Sequence, residues 1–124
     1  MIKKTITYKD FNGNERTDDF YFHFSQAEAA EMSLRNDGGL TGMVERIVKA
    51  EDRNALMDIF KGLILDAYGE KSTDGKYFMK KDADGRPLSR KFEQTGAFSK
   101  LYMELITDAD AAAKFFNGVV PSDN

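Results

Sequence analysis

The apolar residues of this chain change period once, and that change fixes the order of its elements. From Ile2 to Phe24 they alternate. Ile2, Ile6 and Tyr8 share one face of a first strand. Phe20, Phe22 and Phe24 share one face of a second, while Tyr21 and His23 face the other way. Between the strands, Asn12-Gly13-Asn14 supplies residues that tolerate positive φ. Residues 1–24 are therefore expected to form an antiparallel β-hairpin. A lone hairpin is marginal in water, so its phenylalanine face needs a cover of helices.

From Ser25 the period becomes helical. Ser25 and Glu28 form a capping-box pattern ahead of a good helix former, and Asn36-Asp37-Gly38-Gly39 ends it. Thr41 is expected to open a second helix, with Met43, Val44, Ile47 and Val48 on one stripe. Glu51-Asp52 marks the start of a third, whose stripe is Ala55, Leu56, Ile59, Phe60, Leu63, Ile64 and Ala67, and Gly69 is expected to terminate it. This third helix is placed at the centre of the core.

Residues 70–88 break the pattern. The stretch is polar, holds two Asp-Gly steps and Pro87, and has one apolar cluster, Tyr77-Phe78-Met79. It reads as a long loop with room for an irregular hairpin. A loop of that length in a compact domain is usually functional or mobile. Ser89 is then expected to cap a helix through Phe92, and Gly96 to break it. Phe98, Leu101, Tyr102, Leu105 and Ile106 follow at one-stripe spacing. Thr107 is expected to cap a last helix carrying Phe115 and Phe116, with Gly118 closing it and residues 119–124 fraying. The expected fold is α+β, one domain over residues 1–124: a hairpin (1–24), helices (25–69), a loop (70–88) and C-terminal helices (89–118), about five helices in all. At 124 residues the chain is long enough for a real core, and with 10 Phe, 5 Tyr and no Trp its aromatic bulk is phenylalanine.

Ligand inventory excludes most chemistry. There is no cysteine, hence no disulfide, thiolate nucleophile or thiolate metal ligand. The single histidine, His23, lies on a strand without a second His or Cys to complete a metal site or triad. Asp82-Ala83-Asp84-Gly85 resembles the start of a calcium loop. An EF-hand needs carboxylates at its first and twelfth positions and glycine at its sixth. With Gly85 sixth, the first and twelfth are Lys80 and Lys91; with Asp82 first, the sixth is Pro87. A tight turn explains the motif better. Asp18 and Asp19 sit on opposite faces of a strand and do not converge, and Asp52, Asp108 and Asp110 suit helix starts. Gly38-Gly39 falls between helices, not after a strand as a phosphate loop would. No enzymatic function, metal or cofactor is expected.

Charge excludes more. Residues 1–69 hold 9 basic and 12 acidic side chains, residues 70–91 hold 7 and 4, and residues 92–124 hold 2 and 5. Nucleic-acid binding needs clustered positive charge and is disfavoured for the domain. The basic island Lys76, Lys80, Lys81, Arg86, Arg90 and Lys91 suits a solvated loop or an acidic partner. No segment approaches the ~18–20 consecutive apolar residues of a membrane span, and the N-terminus lacks the apolar core of a secretory signal. A soluble, cytosolic protein is the expectation.

Three stretches carry a resemblance. They are TITYKDFNGNERTDDFYFHFSQAEAAEM, IVKAEDRNALMDIFKGLILDAYGEKSTDGKYF and FEQTGAFSKLYMELITDADAAAKFFNGVVP. Together they resemble the tail assembly chaperones of long-tailed bacteriophages and prophages, over nearly the whole chain. The resemblance implies a protein of the host cytoplasm that is absent from the mature virion. It implies binding to the tape measure protein, which is kept soluble while tail tube protein polymerises around it. It also implies self-association and a longer frameshift product. The contact residues expected on this basis are Phe98, Leu101, Tyr102, Phe115 and Phe116, with Tyr77, Phe78 and Met79 as a second patch. For any one of the first five, ordinary core is the competing account. Two other roles fit an apolar, non-catalytic chain: a structural or connector protein retained in the tail, and a small adaptor or inhibitor of a host protein.

Overall fold

The computed structural model describes residues 1–49 and 53–121, with the side chains of Arg53 and Ala55 left aside. The helix start expected at Glu51-Asp52 and the end of the tail lie outside the described residues. Strands β1 (Ile2–Lys9) and β2 (Glu15–Phe22) form the expected hairpin, in register from Ile2 opposite Phe22 to Lys9 opposite Glu15. Exposure alternates strictly along β1, and Ile6 and Phe22 are buried. Helices α1 (Gln26–Arg35), α2 (Gly39–Val48) and α3 (Arg53–Ala67) follow. The capping box forms: Ser25 Oγ accepts from Glu28 N–H at 3.1 Å, and Glu28 Oε1 accepts from Ser25 N–H at 2.9 Å.

The chain then returns to the sheet. Strand β3 (Tyr68–Lys71) follows α3 without a break, pairing Tyr68 with Phe22 and Gly69 with Tyr21. Strand β4 (Phe78–Met79) pairs with β3, giving a four-stranded antiparallel sheet in the order β1-β2-β3-β4. Gly69, expected to terminate α3, is instead a strand residue, two positions beyond the helix's end at Ala67. A Cβ there would stand 2.5 Å from the Phe78 ring, so only glycine lets Phe78 lie on that face. The room for an irregular hairpin within the expected loop 70–88 is filled. The segment holds the β3–β4 hairpin, a Lys81–Pro87 bridge and two turns with Gly75 and Gly85 at positive φ.

Helices α4 (Ser89–Glu93), α5 (Gly96–Thr107) and α6 (Ala109–Val119) complete the fold, six helices among the described residues. Their starts differ from expectation by one residue or two. Leu88, not Ser89, is the α4 N-cap, and α2 begins at Gly39 rather than Thr41. Asp108, not Thr107, caps α6 through bonds from Asp110 and Ala111 N–H, since the Thr107 hydroxyl donates to the Met103 carbonyl. Thr95 caps α5, and Gly96 sits against the Lys9 carbonyl. Gly118 lies inside α6 against Ile2, and Val119 is buried with its carbonyl accepting from Phe24 N–H, so the frayed segment does not begin there.

The core lies between the inner sheet face and the helices. Phe92, on the five-residue α4, is its aromatic hub. Its ring stacks on Tyr68 at 4.3 Å and 2° and meets Phe20, Phe22 and Phe98 at 5.1–5.8 Å. Phe115 from α6 closes on Phe22 and Phe60. The expected packing of helices on the Phe20, Phe22 and Phe24 face is thus met by α4 and α6. Full burial of each such ring contributes about 1.5–3 kcal/mol.

Candidate functional site

Burial divides the eight expected contact residues. Phe98, Leu101, Phe115 and Phe116 are core side chains, each at most 6% exposed. Their stripes face the sheet and one another because that is where the apolar area of the hairpin lies. Tyr102 is half-buried and stacks on Phe98 at 5.6 Å. The second patch is different. Tyr77 is 65% exposed and Met79 39%, while Phe78 is half-buried against Gly69 and the edge of the His23 ring.

Tyr77 and Met79 ride on an arm, residues 68–88, that joins the body through the β2–β3 pairing, Tyr68 on Phe92 and Phe78 on His23, and through one ion pair. Lys80 Nζ lies 2.7 Å from Glu28 Oε2 and 4.7 Å from the centre of the Phe24 ring. Glu28 completes the capping box of α1 by accepting from the N–H of the N-cap Ser25, so one carboxylate serves both the cap and the arm. Burial disfavours its ionised form, but Lys80 and Ser25 N–H outweigh that and hold the carboxyl below its ordinary range. Beneath the arm, His23 Nδ1 is buried with no hydrogen-bond partner among the described residues. Burial, and then the chain's N-terminal ammonium and Lys80, hold its imidazole below the ordinary value. At the tip, Asp74 Oδ1 accepts from Ser72 Oγ and Lys76 N–H. The exposed cations Lys76 and Lys81 lie within two residues of Tyr77 and Met79, Arg86 follows on the next turn of the arm, and none of the three has an ion-pair partner among the described residues.

A second apolar surface lies between α2 and α6. Leu40, Val44, Phe116, Val120 and Pro121 line an open groove of about 330 Å³. Val48, one turn beyond Val44, is 59% exposed. Among the described residues no group of three or more His, Asp or Glu side chains is placed to hold a metal ion. Among those residues, too, no helix is long and apolar enough to cross a membrane.

A family model described as phage tail assembly chaperone matches residues 1–124, the whole chain. The chain belongs to the phage tail assembly chaperone family. Comparison with curated proteins and with solved structures finds no match. As a tail assembly chaperone it is an assembly factor and not an enzyme. What such a chaperone has to offer is surface, and here the exposed apolar surface is the arm, the α2/α6 groove and isolated residues.

Two of these features escaped sequence reasoning. The groove mixes residues from distant stripes, Leu40 and Val44 with Val120 and Pro121, and periodicity does not bring separate stripes together. Phe11, 89% exposed at the tip of the β1–β2 hairpin, was hidden within the strand-turn-strand pattern. Its signal was an aromatic residue in the turn between two strands, where no core is within reach.

Proposed function

We propose that this chaperone covers apolar surface on the tape measure protein, keeping it soluble until tail tube subunits polymerise around it. The full-length family match is the observation that carries this. The arm supports it: exposed Tyr77 and Met79, with Phe78 behind them, flanked by exposed cations. A long amphipathic helix with an acidic polar face fits that chemistry, apolar side chains against the aromatics and carboxylates against Lys76, Lys81 and Arg86. Tyr102 is a further contact. Phe98, Leu101, Phe115 and Phe116 join only if the core opens. On this account the chain works in the host cytoplasm, is absent from the finished virion, and has a longer frameshifted form.

Co-expression with the tape measure protein tests it. A soluble complex is expected. Equal solubility of the tape measure protein without the chain, or recovery of the chain from purified virions in stoichiometric amount, would overturn it.

A further inference from the structure

The sheet is open along its second strand. β2 pairs with β1 over its whole length but with β3 only at Tyr21 and Phe22. The alternation of an antiparallel ladder fixes which main-chain groups this leaves free. Asp10 N–H donates to the Asn14 carbonyl at 2.9 Å, so the even-numbered residues of β2 bond to β1. The odd-numbered ones turn the other way. Tyr21 meets Gly69 there, and His23 N–H donates to the Ala67 carbonyl at 2.8 Å. Glu15, Thr17 and Asp19 turn to the same side, and no strand among the described residues pairs with them on it. Lys71 faces them across the gap. Ser72 N–H donates to the Tyr77 carbonyl, so Glu70 bonds to β4 and Lys71 turns its N–H and C=O towards β2. Two residues further along the β2–β3 register Asp19 would stand opposite Lys71, but that pair is not made. An open cleft of about 380 Å³ lies between them.

Exposed strand edges are normally blunted. The outer edge of β1 is: the Lys100 ammonium donates to the Thr7 carbonyl, and Gly96 of α5 sits against the Lys9 carbonyl. The edge strand β4 is only two residues long. The edge of β2 has neither protection, and Glu15, Thr17 and Asp19 are all exposed on it.

We propose that this edge takes up an extended, lysine- or arginine-bearing segment of another protein as an added strand. Charge selects the occupant. Asp18, Asp19 and Glu70 line the cleft, and none has an ion-pair partner among the described residues. The Tyr8 and Thr5 hydroxyls each donate to one oxygen of Asp18 and Asp19 respectively, leaving the other oxygen of each for a partner. The cations of β2 and β3 are already engaged. Arg16 pairs with Asp10 at 2.8 Å, and Lys71 stands 5.7 Å from the centre of the Tyr21 ring. The half-buried rings of Phe20 and Tyr68 add an apolar floor. A segment of alternating basic and apolar residues matches all three features: main chain against main chain, cations beside the carboxylates, apolar side chains towards the rings.

A second copy of this chain does not match. Its β1 edge is covered, its β4 edge is too short, and its β2 edge carries the same carboxylates. Antiparallel pairing of two β2 edges about Thr17 would set Glu15 against Asp19. The arm, flanked by cations, does not compete for such a segment, so the two surfaces serve different partners.

An NMR titration of the chain alone with a short capped peptide of alternating lysine and valine tests this, with no tape measure protein present. The peptide is expected to slow amide exchange at Thr17 and Asp19, and a glutamate–valine peptide is not. Thr17→Pro removes a donor that takes no part in the β1 ladder, and is expected to weaken peptide binding about tenfold. Asp19→Asn with Glu70→Gln keeps the shape of the cleft, and is expected to weaken binding by about threefold to tenfold and to flatten its salt dependence. This pair stands in should Thr17→Pro fail to fold. Unchanged exchange at Thr17 and Asp19 under excess peptide, equal binding of the glutamate–valine peptide, or undiminished binding by the folded variants would each overturn the proposal. A dimer of the free chain that Thr17→Pro dissolves would overturn it too, by giving the edge to a second copy.

Discussion

Lys80 on the arm and Glu28 at the start of α1 are 52 residues apart in sequence and 2.7 Å apart in space. Glu28 holds Ser25 N–H with its other oxygen, so a single carboxylate couples the first helix to the arm. Glu28→Gln keeps an acceptor for Ser25 but loses the charge pair. Both side chains remain partly exposed, so a double-mutant cycle with Lys80→Met is expected to give a coupling of only about 0.5–1 kcal/mol, shrinking at high salt. Amide exchange in residues 78–81 should speed up in either variant. A coupling near zero would mean that the arm is held by the β2–β3 pairing, Tyr68 on Phe92 and Phe78 on His23 without help from the ion pair.

Phe92 is the side chain on which both sheet halves and α5 converge. Phe92→Ala leaves a ring-sized cavity among Phe20, Phe22, Tyr68 and Phe98. A loss of about 3–5 kcal/mol is expected in urea denaturation. That is a large share of the ~5–15 kcal/mol typical of a domain. A loss below ~1.5 kcal/mol, the scale of a volume-conserving swap, would contradict the hub role.

His23 gives the fold a mild pH dependence. Its folded pKa is lowered, so the unfolded chain binds the proton more tightly. The contribution is fully present above the ordinary value of about 6.5 and is lost as pH falls from there towards the folded value. Glu28, held below its ordinary value, loses its contribution only at pH below about 4.3. Asp66, whose carboxyl pKa is raised by burial, acts in the opposite sense as pH falls, so it is the comparison of melting temperatures with His23→Phe between pH of about 7.5 and 5.5 that separates His23. The wild type should lose stability over that interval, and His23→Phe, which keeps a ring against Phe78, should lose less. Identical slopes would remove His23 as the cause.

The sequence disclosed elements where one physical signal dominated. Alternation specified β1 and β2, and the Ser25–Glu28 box specified α1. It misled where two neighbouring residues could each cap the same helix. Thr107 lost the α6 cap to Asp108, a carboxylate beside two free N–H groups, because its hydroxyl was already bonded to Met103. Strands β3 and β4, four and two residues long, carry too few side chains for alternation to register, and Gly69 read as a stop because the Phe78 ring that packs over it lies nine residues on. Among the candidate contacts, an inward stripe and a docking stripe have the same spacing. Only the position of the sheet shows that Phe98, Leu101, Phe115 and Phe116 face inward.

The most direct measurement is the soluble fraction of tape measure protein co-expressed with the wild-type chain, with a Tyr77→Asp/Met79→Asp variant, and with no chaperone. Both substituted side chains are exposed, so the variant should fold. High recovery with wild type, low recovery with the variant and lowest recovery without either is the expected order. Equal recovery in all three would contradict the account.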